Sequence, residues 1–339
     1  MKLVDAKGQV RHGCFDGPVQ LDAQAFRLRN FFGREIRGLR KHLALGGFNF
    51  VGFATDEALV GVAAVRLGYA SQVFGYLYDF KANRLFEQSV RGLPSSLSFP
   101  LEPDAHVIHF AGSGCRLSID KNHARGTLDL AATFGKRLHI QAHIPYGFAQ
   151  KPLRVVNPSC GDPFRFTFTE KCSPLRPERL SISLDGVEYT PDPTQAMALY
   201  DWSAGYFNRH TNWLWSACAG RLADGRTVGV NFAALVNESY FPENAFWIEG
   251  QRTRMDRIIF DHDLDDPYAR DWRIYSEDGQ VDLQFHPVAE RSEKSHLPFL
   301  KVNFRQFMGT YSGSLRDAQG NPAALNALPG LAELHLSVW

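Results

Sequence analysis

Residues 201–235 read DWSAGYFNRHTNWLWSACAGRLADGRTVGVNFAAL, two stretches of alternating side chains joined by Ala223-Asp224-Gly225-Arg226. Asp-Gly tolerates the positive φ of a two-residue hairpin turn, so the segment reads as two antiparallel strands folded back on each other. On the first strand Trp213, Trp215, Ala217 and Ala219 share one face, and Leu214, Ser216 and Cys218 the other. Both faces are mainly apolar, which is the pattern of a strand covered on both sides.

The same period of two recurs outward from this hairpin, at Val51–Phe53, Ala58–Leu67, Gln72–Asp79, Leu138–Ile144, Phe164–Thr169, Leu180–Leu184, Thr227–Leu235, Arg257–Phe260 and Val281–Phe285. Further Asp-Gly turns stand at 184–187 and 277–280. An all-β, antiparallel protein is expected. One segment departs from this: between Leu21 and Leu45, Phe26, Phe31, Phe32, Ile36, Leu39 and Leu43 are spaced helically, with Arg27, Arg29, Arg34, Arg37, Arg40 and Lys41 among them. A short N-terminal helical segment is expected there, with Gly33 and Gly38 working against it.

The 339 residues exceed what one core usually organises, and 44% hydrophobic with 22% charged residues fits a globular chain. A balance of 37 basic and 36 acidic residues leaves no electrostatic footprint for nucleic acid. The N-terminal MKLVDAKGQVRHG lacks an apolar signal core, and the longest apolar run, Ala58 to Val65, is too short to span a bilayer, so a cytoplasmic protein with no membrane span is expected. Five cysteines without CxxC spacing point to reduced thiols.

An internal echo suggests tandem units. At an offset of 137, Gly68-Tyr69 falls on Gly205-Tyr206, Tyr76-Leu77-Tyr78 on Trp213-Leu214-Trp215, and Arg84-Leu85 on Arg221-Leu222. LHIQAHIP from Leu138 is similar to VDLQFHP from Val281 at an offset of 143, with chance similarity of two β-rich stretches as the alternative. The implied division is an N-terminal extension at 1–47, a first β-domain at 48–185 and a second at 186–339.

The blocks DWSAGYFNRHTNWLW, GRTVGVNF, ENAFWIEG, WRIYSEDGQVDLQFHPVAER and GLAELHLSVW resemble those of the family catalogued as domain of unknown function 2804. More remotely, the tandem β layout is similar to two-domain, lipocalin-like proteins such as carotenoid 1,2-hydratases and some polyketide cyclases. That resemblance implies two tandem lipocalin-like (calycin-type) antiparallel β-barrels around a hydrophobic ligand. A family of unknown function implies no catalytic residues.

The residues themselves suggest where a ligand would sit. Trp213 and Trp215 either line an apolar cavity or pack a core. Asp201, Tyr206, Arg209 and His210 read as a loop before that strand, where Arg209 can pair with Asp201 or with a ligand carboxylate. Alternation puts Trp247 and Glu249 on one face, and a carboxyl beside an indole in a low-dielectric cavity has a raised pKa and suits a general acid; the alternative is a carboxylate satisfied by Arg252, Arg254 or Arg291. His139, Gln141 and His143, and likewise Asp282, Gln284 and His286, form polar strand faces toward solvent or a hydrophilic lumen. Glu333 and His335 share a face that reads more readily as a strand's outer side. No triad of metal ligands, HExxH, GxSxG or phosphate loop is present, and Cys160 has no base near it in sequence.

The leading expectation is therefore a hydrophobic small molecule held near Tyr206, Trp213, Trp215, Trp247, His286 and Arg291. Asp201, Arg209 and Glu249 would orient it or carry out acid–base chemistry of the hydratase, isomerase or cyclase type, with no cofactor and no metal. The alternatives are a carrier that binds without chemistry and a structural protein with filled barrels.

Overall fold

The computed structural model describes residues 1–236, 240–297 and 300–338. Its hairpins follow the Asp-Gly turns: Leu184 pairs with Val187 across Asp185 (φ 54°) and Gly186 (φ 80°), and Arg221 pairs with Thr227 across a turn in which Gly225 has φ 88°. Among the described residues all the strand pairs are antiparallel, and they assemble into three sheets. The protein is all-β, as its runs and turns imply.

A central sheet of eight strands runs in the order Gly13–Cys14, Leu153–Ser159, Asp162–Leu175, Met197–Gly205, Gly46–Ala54, Ala58–Leu67, Ala70–Asp79, Arg84–Gly92. An outer sheet of seven strands, built from Leu97 to Tyr189, covers one of its faces, where Val51, Phe53 and Val62 meet Ile119, Phe134 and Ile140 in the main core. A nine-stranded C-terminal sheet, built from His210 to Val338, encloses a core of its own around Phe232, Phe285 and Tyr311. Its other side lies against the free face of the central sheet, where Phe50, Phe74 and Tyr76 meet Trp215, Met308 and Leu331. The central strands are thus buried on both faces, which is why GGFNFVGFA and ALVGVAAVRL read as near-continuous apolar runs. Gly61 is part of this fit, since a Cβ there would lie 2.3 Å from the Tyr76 ring.

Several expectations change on folding. The only α-helix between Leu21 and Leu45 is Gly38–Leu43, because Gly33 (φ 76°) and Gly38 (φ 59°) adopt left-handed backbone, while Phe26 leaves the helical pattern to enter the main core beside Leu21 and Leu28. Phe164–Thr169 is the middle of a 14-residue strand, and Val281–Phe285 opens one of 17 residues. Met197–Gly205, which a division at 185/186 gives to the second unit, pairs with Asp162–Leu175 and Gly46–Ala54 inside the central sheet. Of the residues aligned at offset 137, Tyr76 and Tyr78 belong to the same inter-sheet cluster as Trp215, with Trp213 packed against it.

A charged cluster lies inside the main core. Glu170 is fully buried and accepts from Lys121 Nζ at 2.5 Å and Tyr146 Oη at 2.6 Å, has His123 Nε2 at 3.0 Å, and pairs with Arg154 Nε at 2.9 Å. Burial alone would raise its pKa, but Lys121, Arg154 and His123 hold the carboxyl well below its usual range. Burial depresses Lys121 to about 8 against the opposing pull of Glu170. Removing the shared anion leaves the buried Lys121 ammonium without a counter-ion, while Arg154 keeps its pairing with Asp104. Glu170→Ala should therefore cost about 3–5 kcal/mol in urea unfolding; a loss below about 1 kcal/mol, typical of an exposed pair, would show that the cluster is not holding the core together.

Candidate functional site

Hydrogen-bonded register places the side chains between the central and C-terminal sheets in rows. On the central sheet Lys171, Asp201, Phe50, Ala63 and Phe74 are successive cross-strand partners, and two residues along lie Ser203, Phe48, Val65 and Gln72. On the C-terminal sheet one row is Arg291, Gln306, Glu333 and Trp215, and the next is Glu293, Phe304, His335 and Trp213. Apart from Ala63, these residues line a cavity of about 240 Å³ between the two sheets, joined by Glu243 from the segment ahead of strand Asn244–Ile248. Aromatic and aliphatic walls with a few convergent polar groups are typical of a small-molecule site.

Two polar groupings meet in this space. Lys171 Nζ contacts Asp201 Oδ2 at 2.5 Å and Glu243 Oε2 at 3.6 Å, and Thr169 Oγ1 donates to Glu243 Oε1 at 2.9 Å. Burial opposes the Lys171 charge, yet Asp201 and Glu243 raise its pKa and keep it an ammonium. The Asp201 carboxyl is itself raised by burial against the attraction of Lys171. Opposite, Glu333 accepts from Trp213 Nε1 at 2.8 Å and from Gln306 Nε2 at 2.5 Å. Burial lifts Glu333 to about 7, with the two hydrogen bonds working against the shift and the Asp201 charge adding to it. His335 stacks flat on Trp213, with ring centroids 3.6 Å apart, and burial lowers it to about 3, so the imidazole is neutral at ordinary pH.

Arg291 forms part of the wall. Its Nε donates to Glu87 Oε2 at 3.1 Å, and its guanidinium lies 4.1 Å from the Phe74 ring centroid and 5.2 Å from that of Phe304. Among the described residues its terminal nitrogens make no hydrogen bond to protein. At the rim, Gln72 donates to Glu293 at 2.9 Å and Arg91 pairs with the same carboxylate.

Of the residues singled out in the sequence, Asp201, Trp213, Trp215 and Arg291 come together here. Asp201 sits within a strand, not a loop, and its partner is Lys171 rather than Arg209, which is exposed and does not line the cavity, although Phe207 and Thr211 on either side of it do. Tyr206 points into the main core, stacked on Phe26 with its hydroxyl on the Ala23 carbonyl at 3.0 Å. Trp247 packs on Leu153 and Val155 and donates to the Lys151 carbonyl at 3.0 Å. Glu249 lies past the end of that strand in an exposed turn, with φ 48°, where it accepts from the Thr227 hydroxyl at 3.0 Å and has no indole beside it. His286 is exposed and paired with Asp271 at 2.8 Å.

Lys171, Gln306, Glu333 and His335 complete the site. Glu333 and His335 do share a strand face, but that face is buried under the central sheet rather than wetted. Lys171 carried a signal in Glu170-Lys171, two opposite charges at the end of an otherwise apolar run. Gln306 carried none. Among the described residues no three His, Cys, Asp or Glu side chains converge as metal ligands do, and no helix is long and apolar enough to cross a membrane.

These features define an all-β protein with an acid-bearing cavity between two packed sheets. The chain belongs to the family of domain of unknown function DUF2804, whose sequence model matches residues 1–339. No curated protein matches it in sequence. Solved structures similar to it include kievitone hydratase from Nectria haematococca, at 12% identity over 86% of this chain and 89% of that one, with a TM-score of 0.51. CghA, solved with Sch210972, is similar at 11% identity over 87% and 88%, with a TM-score of 0.48. At 12% identity the likeness to kievitone hydratase is one of fold.

The Glu333 geometry makes a pH prediction. Its folded pKa, about 7, lies above the ordinary 4.5, so the neutral carboxyl favours folding below pH 4.5 and that contribution fades as pH rises through 7. The change is about 3 kcal/mol. Relative to Glu333→Gln, the wild type should lose about that much stability across this window, and Trp213 emission should titrate with a midpoint near 7 that Glu333→Gln abolishes. Parallel stability curves and flat emission would contradict the assignment.

Proposed function

We propose that this protein binds a largely apolar small molecule bearing an oxygen function between its central and C-terminal sheets, and catalyses a proton-transfer reaction on it: hydration, isomerisation or cyclisation. The observation that supports this most directly is Glu333, a buried carboxyl poised to give or take a proton at neutral pH, inside a cavity walled by Trp213, Trp215, Phe48 and Phe50. A group whose pKa matches the working pH is best suited to both halves of acid–base catalysis.

In this reading Glu333 donates a proton to an unsaturated centre, or removes one, while Trp213 and Gln306 fix the carboxyl in place. The Lys171 ammonium, held charged by Asp201 and Glu243, stabilises negative charge that develops on a substrate oxygen. Arg291, flanked by Phe74 and Phe304, anchors the oxygen function at the wall. Aromatic surfaces hold the apolar remainder in one conformer, which lowers the barrier, and hydration draws its water from the polar side of the site. The shared fold of a hydratase makes water addition the first reaction to assay. The two units, at 48–185 and 186–339, are lipocalin-like in this reading, with strand Met197–Gly205 contributing to the wall of the first.

The test begins with protein purified mildly from its native host, whose organic extract is analysed by mass spectrometry. A stoichiometric apolar compound should be present and absent from Trp213→Ala/Trp215→Ala. Turnover of that compound class should fall about 10²–10⁴-fold in Glu333→Gln with binding retained. Unchanged turnover would remove Glu333 from the chemistry, and retention with no turnover in the wild type would make the protein a carrier.

A further inference from the structure

We propose that the hairpin tip carrying Phe31 and Phe32 docks this protein on an anionic lipid bilayer. The tip is a hydrogen-bonded turn. Asn30 Oδ1 accepts from the backbone of Phe32 and of Arg34 at 3.0 Å each, Asn30 N donates to the Arg34 carbonyl at 2.9 Å, and the backbones of Arg29 and Glu35 form an antiparallel β-bridge just below. This cross-bracing presents Phe31 and Phe32 at 91% and 81% exposure, edge-to-face with ring centroids 5.5 Å apart. The short helix after the tip adds Leu39 at 71% exposure. Apolar side chains held this far into water are a binding element, not a packing remnant.

Charge selects the partner. Residues 27–41 hold Arg27, Arg29, Arg34, Arg37, Arg40 and Lys41 against Glu35 alone, six minus one, or +5. The whole chain carries +1, so the remainder is −4 and the basic charge is concentrated here. Glu35 is paired with Arg37 at 2.6 Å, and among the described residues Arg29, Arg34 and Arg40 are exposed and make no ion pair. Aromatic anchors on a protruding tip, ringed by arginines, fit the headgroup layer of an anionic membrane.

The helix ends against the hairpin turn at Gly68, where a Cβ would lie 2.1 Å from the Leu43 carbonyl oxygen. Leu67 and Ala70, on either side of that turn, line the cavity, as does Gly47 shortly after the helix. The segment that carries Phe31 and Phe32 is thus joined, through this helix, to the hairpin that forms part of the cavity wall.

Flotation with vesicles of phosphatidylcholine alone, and of equal parts phosphatidylcholine and phosphatidylglycerol, tests this. The wild type should bind the anionic vesicles at least about tenfold better, and this binding should weaken with added salt. Phe31→Ser/Phe32→Ser and Arg34→Glu/Arg40→Glu should each lose most of it with unchanged circular dichroism and melting, since these side chains contribute nothing to a core. Three results would overturn the proposal: no binding to either vesicle, wild-type binding by the phenylalanine variant, or a wild-type dimer that the same variant converts to monomer without any vesicle binding, which would assign the tip to a second copy of the chain.

Discussion

The pleat of strand Asp162–Leu175 is the constraint on which the rest depends. Glu170 and Lys171 are neighbours in sequence, yet the alternation of a strand sends them to opposite sides of a sheet that is buried on both faces. Each charge must therefore be neutralised on its own side: Glu170 by Lys121 and Arg154 in the main core, with His123 as a further hydrogen-bond partner, and Lys171 by Asp201 and Glu243 in the cavity. The partner strand obeys the same rule, with Tyr200 and Trp202 facing the main core and Asp201 and Ser203 the cavity. A one-residue slip would exchange the two sets and leave every one of these charges on the wrong side, so the polar residues fix the register as firmly as the apolar ones.

The C-terminal sheet reaches the same cavity by a different device. Leu283 and Phe285 belong to that sheet's own core, but beyond the irregularity between Pro287 and Ala289 the odd-numbered Ala289 and Arg291 face the central sheet instead. One extra residue in the strand, Val288, inverts the alternation. The final strand does the same near Ala327, which has φ 51°: Ala323 and Leu325 face the inner core, whereas Leu331, Glu333 and His335 face outward to the central sheet. Two bulges thus let single 17-residue strands build a core at one end and a site at the other.

This explains what could be read from the sequence and what could not. The all-β class was legible because turns and period-two runs are local, and Trp213 and Trp215 were legible because their strand is regular over its whole length. The pairing of Glu333 with His335 on one face was also legible, but not that the face is buried, since covering a face is a property of another sheet. Arg291 lies beyond a bulge, so periodicity extended from Val281 points it the wrong way. Glu249 fails for the converse reason: alternation carried on from Trp247 runs past the end of the strand at Ile248 into a turn. The helical segment expected between Leu21 and Leu45 is confined to Gly38–Leu43, because two left-handed glycines and core residues that require extended chain take up the rest.

The account rests on an apolar, ligand-sized space between two sheets that a filled interface would lack. Diffraction from crystals pressurised with xenon measures this directly, because xenon occupies dry apolar cavities and is excluded from packed cores. The structure predicts ordered xenon between the central and C-terminal sheets, against Phe50, Trp215 and Phe304. Xenon confined to other parts of the molecule, with side chains closing this space, would contradict the account and leave Trp213 and Trp215 as packing residues.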